Sequence, residues 1–252
     1  GMEMEVVLLG TASAGGSAVR DNTYFLLRRG QGSVLVDVGG DPLGKLKRLN
    51  VPLDDIEQVV FTHFHIDHIY GLPSLLWGMW LGGRTKPLTL HCSTGDRERL
   101  QRWLDVLEVK KWPVAFDIHI VTYEWRKETV LVSDQNLYLS TFPSQHVGET
   151  VGLKLVHNDQ VLMYSADTMP NERIKREPKI DVLIHEATTA EKQLPHHTSL
   201  NSIIQYYEME QIDKVVLVHL TDGEPYEAVL KRATPAVRQK VTLGFDFMNI
   251  SM

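Results

Sequence analysis

The chain has 252 residues, of which 43% are hydrophobic and 23% charged, and its formal net charge is −6. This length can bury a sizeable core, and we expect residues 2–252 to form one domain, with Gly1 as a tag remnant. The acidic balance excludes a protein whose whole surface attracts polyanions. The sequence shows no apolar run of membrane-spanning length and no signal peptide, and its single cysteine, Cys92, excludes an intrachain disulfide. These features predict a cytoplasmic protein.

The first fifty residues predict three strands and a helix around a loop of small residues. The strands are predicted at residues 5–9, 24–28 and 33–36. The loop at 11–22 is rich in glycine, serine and alanine but lacks the glycine spacing of a nucleotide-binding loop. Asp41 is expected to cap a helix over 42–49. Asp37, at the end of the third strand, could reach a nearby site, but we interpret it as a structural loop carboxylate.

The next strand leads into a segment with many potential metal ligands. Residues 62–68 read THFHIDH and directly follow the apolar run 59–61. Side chains alternate along a strand, so His63 and His65 should project to one side. Asp67 should lie near the start of the following helix, where a carboxylate is favoured. A solvated histidine-rich loop is the alternative, but imidazoles and a carboxylate at the end of a buried strand predict a zinc or similar metal site.

The elements that follow predict alternating strands and helices without a long linker or repeat. The helix predicted over 69–81 is apolar on nearly every face, so we expect it in the core. We assign Trp77 and Trp80 to that core rather than to a substrate pocket. The remaining strands are predicted at residues 88–92, 116–122, 129–132, 137–142, 151–156, 161–165, 182–185 and 215–218. The remaining helices are predicted at residues 96–107, 200–207 and 225–233.

Three further ligand-type residues each follow an apolar strand. They are His146, Asp167 and His219. The ends of neighbouring strands meet at one edge of a sheet, so these side chains are expected near the 62–68 segment. Together with that segment they provide five histidines and two aspartates, which is enough for two metal ions.

This ligand set resembles the metallo-β-lactamase superfamily, whose His-x-His-x-Asp-His signature matches residues 63–68. The resemblance implies an α/β fold, an αββα four-layer sandwich of two mixed β-sheets with helices on the outer faces. It also implies two divalent metal ions per chain, with zinc favoured over manganese, iron, cobalt and nickel. The implied ligands are His63, His65 and His146 for one ion, Asp67, His68 and His219 for the other, and Asp167 as the bridge.

Within the superfamily the chain is similar to ribonuclease Z and its phosphodiesterase relatives. The similarity lies in residues 62–73, which end in Gly-Leu-Pro, in His-Glu-Ala-Thr at 185–188, and in a permuted His-Thr-Ser beginning at His197. It implies that His197 contacts the phosphate or acts as the acid, and that Glu186 either orients His197 or is a strand-end carboxylate. With Asp67, these two residues form the expected catalytic set.

One departure from that branch concerns substrate size. Bacterial ribonuclease Z enzymes carry a long arm between the third ligand motif and the bridging aspartate. Here His146 and Asp167 are only 21 positions apart, with room for one hairpin turning at Asn158-Asp159. The basic residues nearest the site are Lys175, Arg176 and Lys179, and we expect them to form a solvated turn. The chain is therefore predicted to be an arm-less relative.

The expected function is hydrolysis of a small phosphodiester or short nucleic acid by a hydroxide bound to two metal ions. The alternatives are a transfer-RNA 3′-processing endoribonuclease and a lactone or thioester hydrolase. A β-lactamase is disfavoured because Cys92 occupies no ligand position, and a non-catalytic scaffold because all seven ligand positions are filled. No membrane partner is expected, and a homodimer is left open.

Overall fold

Two seven-stranded β-sheets form the framework of the chain in the computed structural model, which describes residues 3–113 and 115–252. The strands are β1 (Glu5–Gly10), β2 (Tyr24–Arg28), β3 (Ser33–Val36), β4 (Ile56–Val60), β5 (Leu88–Ser93), β6 (Ile118–Tyr123), β7 (Val130–Ser133), β8 (Tyr138–Pro143), β9 (Val151–His157), β10 (Gln160–Tyr164), β11 (Ile180–Glu186), β12 (Ile212–Val218), β13 (Val241–Leu243) and β14 (Asn249–Ser251). The α-helices are α1 (Pro42–Arg48), α2 (Ile66–Ile69), α3 (Leu72–Leu81), α4 (Arg97–Val106), α5 (Glu172–Lys175), α6 (Leu200–Tyr206), α7 (Tyr226–Arg232) and α8 (Pro235–Lys240). Short 3₁₀ turns lie at Leu53–Asp55, Thr94–Asp96, Val109–Lys111 and Met209–Gln211.

Both sheets are mixed. The first has the order β14-β1-β2-β3-β4-β5-β6, antiparallel from β14 to β3 and parallel from β3 to β6. The second has the order β13-β12-β11-β10-β9-β8-β7, parallel from β13 to β10 and antiparallel from β10 to β7. The parallel strands of each sheet place successive strand ends at one edge, where functional loops collect.

Three clusters of buried apolar side chains separate four layers. In β1, Val6 and Leu8 belong to the cluster between the sheets, whereas Val7 and Leu9 belong to the cluster beneath α1, α3 and α4. This alternation follows from the two-residue period of a strand. A third cluster joins the second sheet to α6 and α7. The αββα sandwich implied by the family resemblance is confirmed.

The predicted extent of the helix over 69–81 is wrong, because the helical conformation is interrupted near Gly71. α2 ends at Ile69, and α3 begins at Leu72. The backbone N–H of Gly71 donates to the carbonyl of Val38 at 2.8 Å. A Cβ atom at position 71 would lie 2.3 Å from that carbonyl oxygen. This close approach of two backbone segments therefore requires glycine. It also fixes the angle between the 62–68 segment and α3.

The assignment of Trp77 to the core is also wrong. Its side chain is 46% exposed, and its ring stacks on Trp80 with ring centroids 5.0 Å apart. Trp112 packs against both rings from a neighbouring loop. Trp80 and Trp112 are half-buried and pack against the core beneath α3, so the assignment holds in part for Trp80. Apolar residues on every face of a helix do not show which face meets the sheet. In the described part of the chain, no helix combines the length and apolarity needed to cross a bilayer.

Candidate metal centre

Loops that follow β4, β8, β10 and β12 meet at one edge of the sandwich. The loop after β4 carries the 62–68 segment, and the other three carry His146, Asp167 and His219. The seven expected ligands come together there in two overlapping groups, within each of which the ligand atoms lie within 4.8 Å of one another. The groups are His63, His65, His146 and Asp167, and Asp67, His68, Asp167 and His219.

Asp167 lies at the centre of this arrangement. Its Oδ2 atom is 3.4 Å from Nε2 of His63, 3.3 Å from Nε2 of His68 and 3.4 Å from Nε2 of His219. The Nε2 atom of His146 is 3.7 Å from the same oxygen. Asp167 is thus the one residue common to both groups, and it is almost fully buried.

The spacing and the unsatisfied polar atoms fit a metal ion. Ligand atoms about 2.0–2.1 Å from a tetrahedral ion lie roughly 3.3–3.4 Å apart, close to the separations around Asp167. The buried atoms without a hydrogen-bond partner among the described residues include Nε2 of His63, His68, His146 and His219, Oδ2 of Asp67 and Oδ1 of Asp167. Buried polar groups are rarely left unpaired, so their convergence on one point indicates a cation site.

The outer nitrogens of the same histidines are all hydrogen-bonded. Nδ1 of His68 lies 2.7 Å from Asp37, and Nδ1 of His146 donates to the carbonyl of His196 at 2.8 Å. The remaining two contacts join Nδ1 of His63 to Thr62 Oγ1 at 3.0 Å and Nδ1 of His219 to Thr188 Oγ1 at 2.8 Å. Both threonine hydroxyls donate to carboxylates, so they accept from the imidazoles. Each ring therefore keeps its proton on Nδ1 and turns the Nε2 lone pair inward, as metal-ligating histidines do.

Asp37 contributes more to the site than the loop role assigned from the sequence. Its carboxylate is fully buried and accepts hydrogen bonds from His68 Nδ1–H and from both the backbone N–H and the hydroxyl of Thr62. Asp37 is not in either ligand group, so it orients a candidate ligand without being one. Its position at a strand end was visible in the sequence, but its partner was not.

The protonation states also suit a cation. Burial lowers the pKa of His63 to about 3, so this imidazole is neutral. Burial would raise the pKa of Asp167, but the charges of His219 and His68 hold it well below its usual range. Burial likewise opposes a charge on His68, yet Asp167 and Asp37 raise the pKa of that ring. Without a cation, protons thus balance the buried carboxylates, and a metal ion would take their place.

A third cluster joins Glu186 and His197 to the candidate ligand His219. The Glu186 carboxylate lies 2.7 Å from Nδ1 of His197 and also accepts from Thr188 Oγ1 at 2.7 Å. Three backbone N–H groups, those of Thr168, Thr188 and Thr198, donate to it as well. Burial lowers the pKa of His197, but Glu186 outweighs this effect and raises it. Glu186 thus holds His197 in place through Nδ1 and leaves Nε2 for another partner.

The His197 ring borders the proposed ligands directly. It stacks on His219 with ring centroids 5.5 Å apart, and its centroid is 5.2 Å from that of His146. By contrast, His185 of the same motif is remote from the ligands. Its Nε2 is 2.7 Å from the Tyr207 hydroxyl, and burial lowers its pKa to about 4. His185 therefore belongs to the core behind Glu186.

The basic residues expected near the site do not form one patch. Lys175 ends α5 with its ammonium 4.6 Å from the centre of the Tyr206 ring, and Lys179 pairs with Asp213. Glu177, which separates Arg176 from Lys179 in the sequence, is buried and pairs with Lys154 and Arg173. The expected solvated turn is present at Arg176 and Lys179, which are exposed between α5 and β11, whereas Lys175 lies within α5 and is half-buried.

Comparisons with known proteins agree with this fold. The model of the family described as Anti-Pycsar protein Apyc1 matches residues 4–242. Ribonuclease Z of Staphylococcus carnosus (strain TM300) is 26% identical over 98% of this chain and 100% of that protein. The metallo-β-lactamase fold protein YhfI of Bacillus subtilis has a TM-score of 0.81 at 17% identity, covering 99% of this chain and 100% of its own. The short form of human tRNase Z has a TM-score of 0.77 at 22% identity, covering 98% of each chain.

The two solved structures establish the fold, and the family match extends over almost the whole described chain. The resemblance to the ribonuclease Z branch, drawn from the ligand and His-Glu-Ala-Thr motifs, is confirmed. The chain belongs to the family of Anti-Pycsar protein Apyc1, and it is a ribonuclease Z-like protein of the metallo-β-lactamase superfamily.

Proposed function

We propose that this chain is a metal-dependent hydrolase of the ribonuclease Z and phosphodiesterase branch that cleaves small phosphodiesters. The observation that carries the proposal is the position of Asp167, whose Oδ2 has four imidazole Nε2 atoms within 3.7 Å. Two metal ions can share a single buried carboxylate that is surrounded by the lone pairs of four imidazoles. We propose zinc first, because imidazole and carboxylate ligands at these separations suit it.

The seven residues divide between two ions in this proposal. His63, His65 and His146 would hold one, and Asp67, His68 and His219 the other, with Asp167 serving both. When bound, such a pair lowers the pKa of a coordinated water and neutralises charge on the phosphate. Metal analysis after reloading should give about two ions per chain, and one ion or none would contradict the dinuclear assignment.

His197 is the group proposed to act on the phosphate. Burial lowers the pKa of His197, but Glu186 raises it overall, which favours the protonated imidazolium, and Glu186 engages Nδ1. The Nε2–H group is then free to donate to a phosphoryl oxygen or to the leaving oxygen. Glu186 does not touch the reacting atoms in this proposal and acts as a positioning residue. Asp67 would act through the metal it holds.

The structure of the interval between His146 and Asp167 supports a small substrate. This stretch forms the hairpin of β9 and β10, which pair within the second sheet. The hairpin turns at Asn158 and Asp159, both with positive φ, so a two-residue turn closes it. No extended arm leaves the described part of this interval. Binding of transfer RNA draws on many phosphate contacts, which an acidic chain without an arm supplies poorly.

The second candidate is transfer-RNA 3′ processing, which the full-length similarity to Staphylococcus carnosus ribonuclease Z favours. A substrate panel with the metal-loaded protein separates the two. It should contain bis-p-nitrophenyl phosphate, a linear dinucleotide, a cyclic nucleotide, a precursor transfer RNA, a lactone and a thioester. We expect turnover of the small phosphodiesters and little cleavage of the precursor at moderate salt. Efficient 3′ cleavage of the precursor would favour the second candidate, and turnover of only the lactone or thioester would overturn both.

A further inference from the structure

A cavity of about 460 Å³ adjoins the candidate metal centre, and His146 forms part of its wall. The other walls come from the segment between β6 and β7, the end of β8, the loop after Asp167 and the loop before α6. The side chains that define its character are Trp125, Arg126, Met169 and His196. Its size lies within the range of about 300–1,000 Å³ typical of small-molecule sites.

Trp125 offers this cavity an apolar surface. The indole N–H is shielded from solvent and has no acceptor among the described residues. Because this nitrogen is the only polar atom of the side chain, whatever part of the side chain meets the cavity is hydrocarbon. The Arg126 guanidinium lies 4.8 Å from the ring centre and so holds the indole in place from one side.

The other walls are tied to the candidate ligands. Met169 follows Asp167 by two residues, is 42% exposed, and its backbone N–H donates to the carbonyl of Gln145 at 2.8 Å. The backbone N–H of Gln145 in turn donates to Thr168 Oγ1 at 2.9 Å. His196 has a positive φ of 66°, and its carbonyl accepts a hydrogen bond from His146 Nδ1–H. Hydrogen bonds therefore link the cavity walls to the segments that carry His146 and Asp167.

We infer that Trp125 and Met169 form a subsite for a planar heteroaromatic ring carried by the substrate next to its scissile phosphate. An indole and a thioether are the side chains that contact such a ring most favourably, and both are adaptable to different rings. Arg126 and His196 supply polar atoms at the rim, as small-molecule sites do. This inference rests on the proposed function, because it assigns selectivity among phosphodiesters to residues outside the ligand set.

The test measures binding rather than turnover. Isothermal titration of the metal-loaded protein compares adenosine 5′-monophosphate with ribose 5-phosphate, which lacks the ring. Stacking on an aromatic residue is worth roughly 1–3 kcal/mol, so the ring should tighten binding at least about fivefold. Trp125→Ala should remove this preference, whereas Trp125→Phe should keep most of it. Phe245→Ala is the matched control, since Phe245 is 54% exposed and lies outside the cavity.

Each outcome decides the inference. Equal affinity of the wild-type chain for the two ligands would overturn it, and so would a ring preference that survives in folded Trp125→Ala. If Trp125→Ala does not fold, Met169→Ala tests another wall of the cavity, and an unchanged ring preference in that variant would overturn the inference. A ring preference in a chain that hydrolyses no phosphodiester would overturn the proposed function and leave the subsite standing. Phosphodiester turnover without any ring preference would overturn the subsite and leave the proposed function standing.

Discussion

The Nδ1 atom of His68 lies 2.7 Å from the Oδ2 atom of Asp37, and both side chains are closed to solvent. The carboxylate fixes the ring so that its other nitrogen faces Asp167 at 3.3 Å. Carboxylate–histidine pairs of this kind orient metal ligands and raise their basicity. Asp37 therefore lies outside the proposed ligand set but orients one of its members, His68.

The first prediction concerns this pair. Asp37→Asn should lower metal affinity by roughly 10- to 100-fold, because the amide is a weaker and uncharged partner for the imidazole. Competition with a chelator of known affinity measures the change. Asp134→Asn is the control, since that exposed carboxylate pairs with Arg29 and belongs to neither ligand group. Equal affinities in the two variants would contradict an orienting role for Asp37.

The second prediction concerns the carboxylate shared by both groups. Asp167→Ala should abolish turnover while the chain remains folded, because the two proposed ions lose their common ligand. Circular dichroism checks the fold, and metal analysis should show fewer bound ions than in the wild-type chain. Normal turnover by this variant would rule out the bridging assignment.

The third prediction separates proton donation from metal binding. His197→Ala should lower kcat by roughly 10²- to 10⁴-fold, the range for loss of a general acid. Metal content should not change, because His197 is outside the proposed ligand set. The exposed His119 provides a control substitution on β6, for which normal kcat is expected. Loss of metal from His197→Ala would show that this histidine is a ligand.

Glu186 allows a finer version of the same test. Its carboxylate holds the His197 ring at 2.7 Å and is 1% exposed. Glu186→Gln should lower kcat less than His197→Ala does, because the ring remains but loses its charged partner. A double variant no slower than His197→Ala alone would show that the two residues act through one function. Additive losses would mean that Glu186 has a separate role.

The fourth prediction concerns stability and pH away from the metal centre. Burial would raise the pKa of Glu177, but its ion pairs with Lys154 at 2.7 Å and Arg173 at 2.5 Å lower it below 4.5. A carboxyl group with a depressed pKa in the folded state stabilises the protein above its unfolded pKa. That contribution is lost as the pH falls through the folded-state pKa.

Glu177→Gln should therefore unfold at a lower denaturant concentration than the wild type at pH 7, and the difference should shrink as the pH falls from the usual glutamate pKa through the lower folded-state pKa. Urea titrations at several pH values measure it. Glu108→Gln serves as the control, because Glu108 forms an exposed pair with Lys111 and should change little. A difference that is constant with pH would exclude an electrostatic origin.

Local features of this protein followed from the sequence alone. The Asn158-Asp159 turn and the Asp41 cap, whose carboxylate accepts from Gly44 N–H at 2.9 Å, depend on residues within a few positions of each other. The candidate metal-ligand positions were also readable, since a strand followed by histidines and aspartates is a local pattern. The αββα architecture came with the family those motifs resemble, and the structure bears it out.

Only the tertiary structure decided the relationships between distant parts of the chain. β14 pairs with β1 at the edge of the first sheet, Glu5 lying opposite Ser251, and no local pattern specifies that partner. The break at Gly71 depends on the carbonyl of Val38, which approaches from another loop. Which side chain orients a ligand, as Asp37 does for His68, and which tryptophan faces a cavity are likewise set by packing. The hydrophobic periodicity of a segment constrains its conformation. Its neighbours in space are fixed only when all the segments pack together.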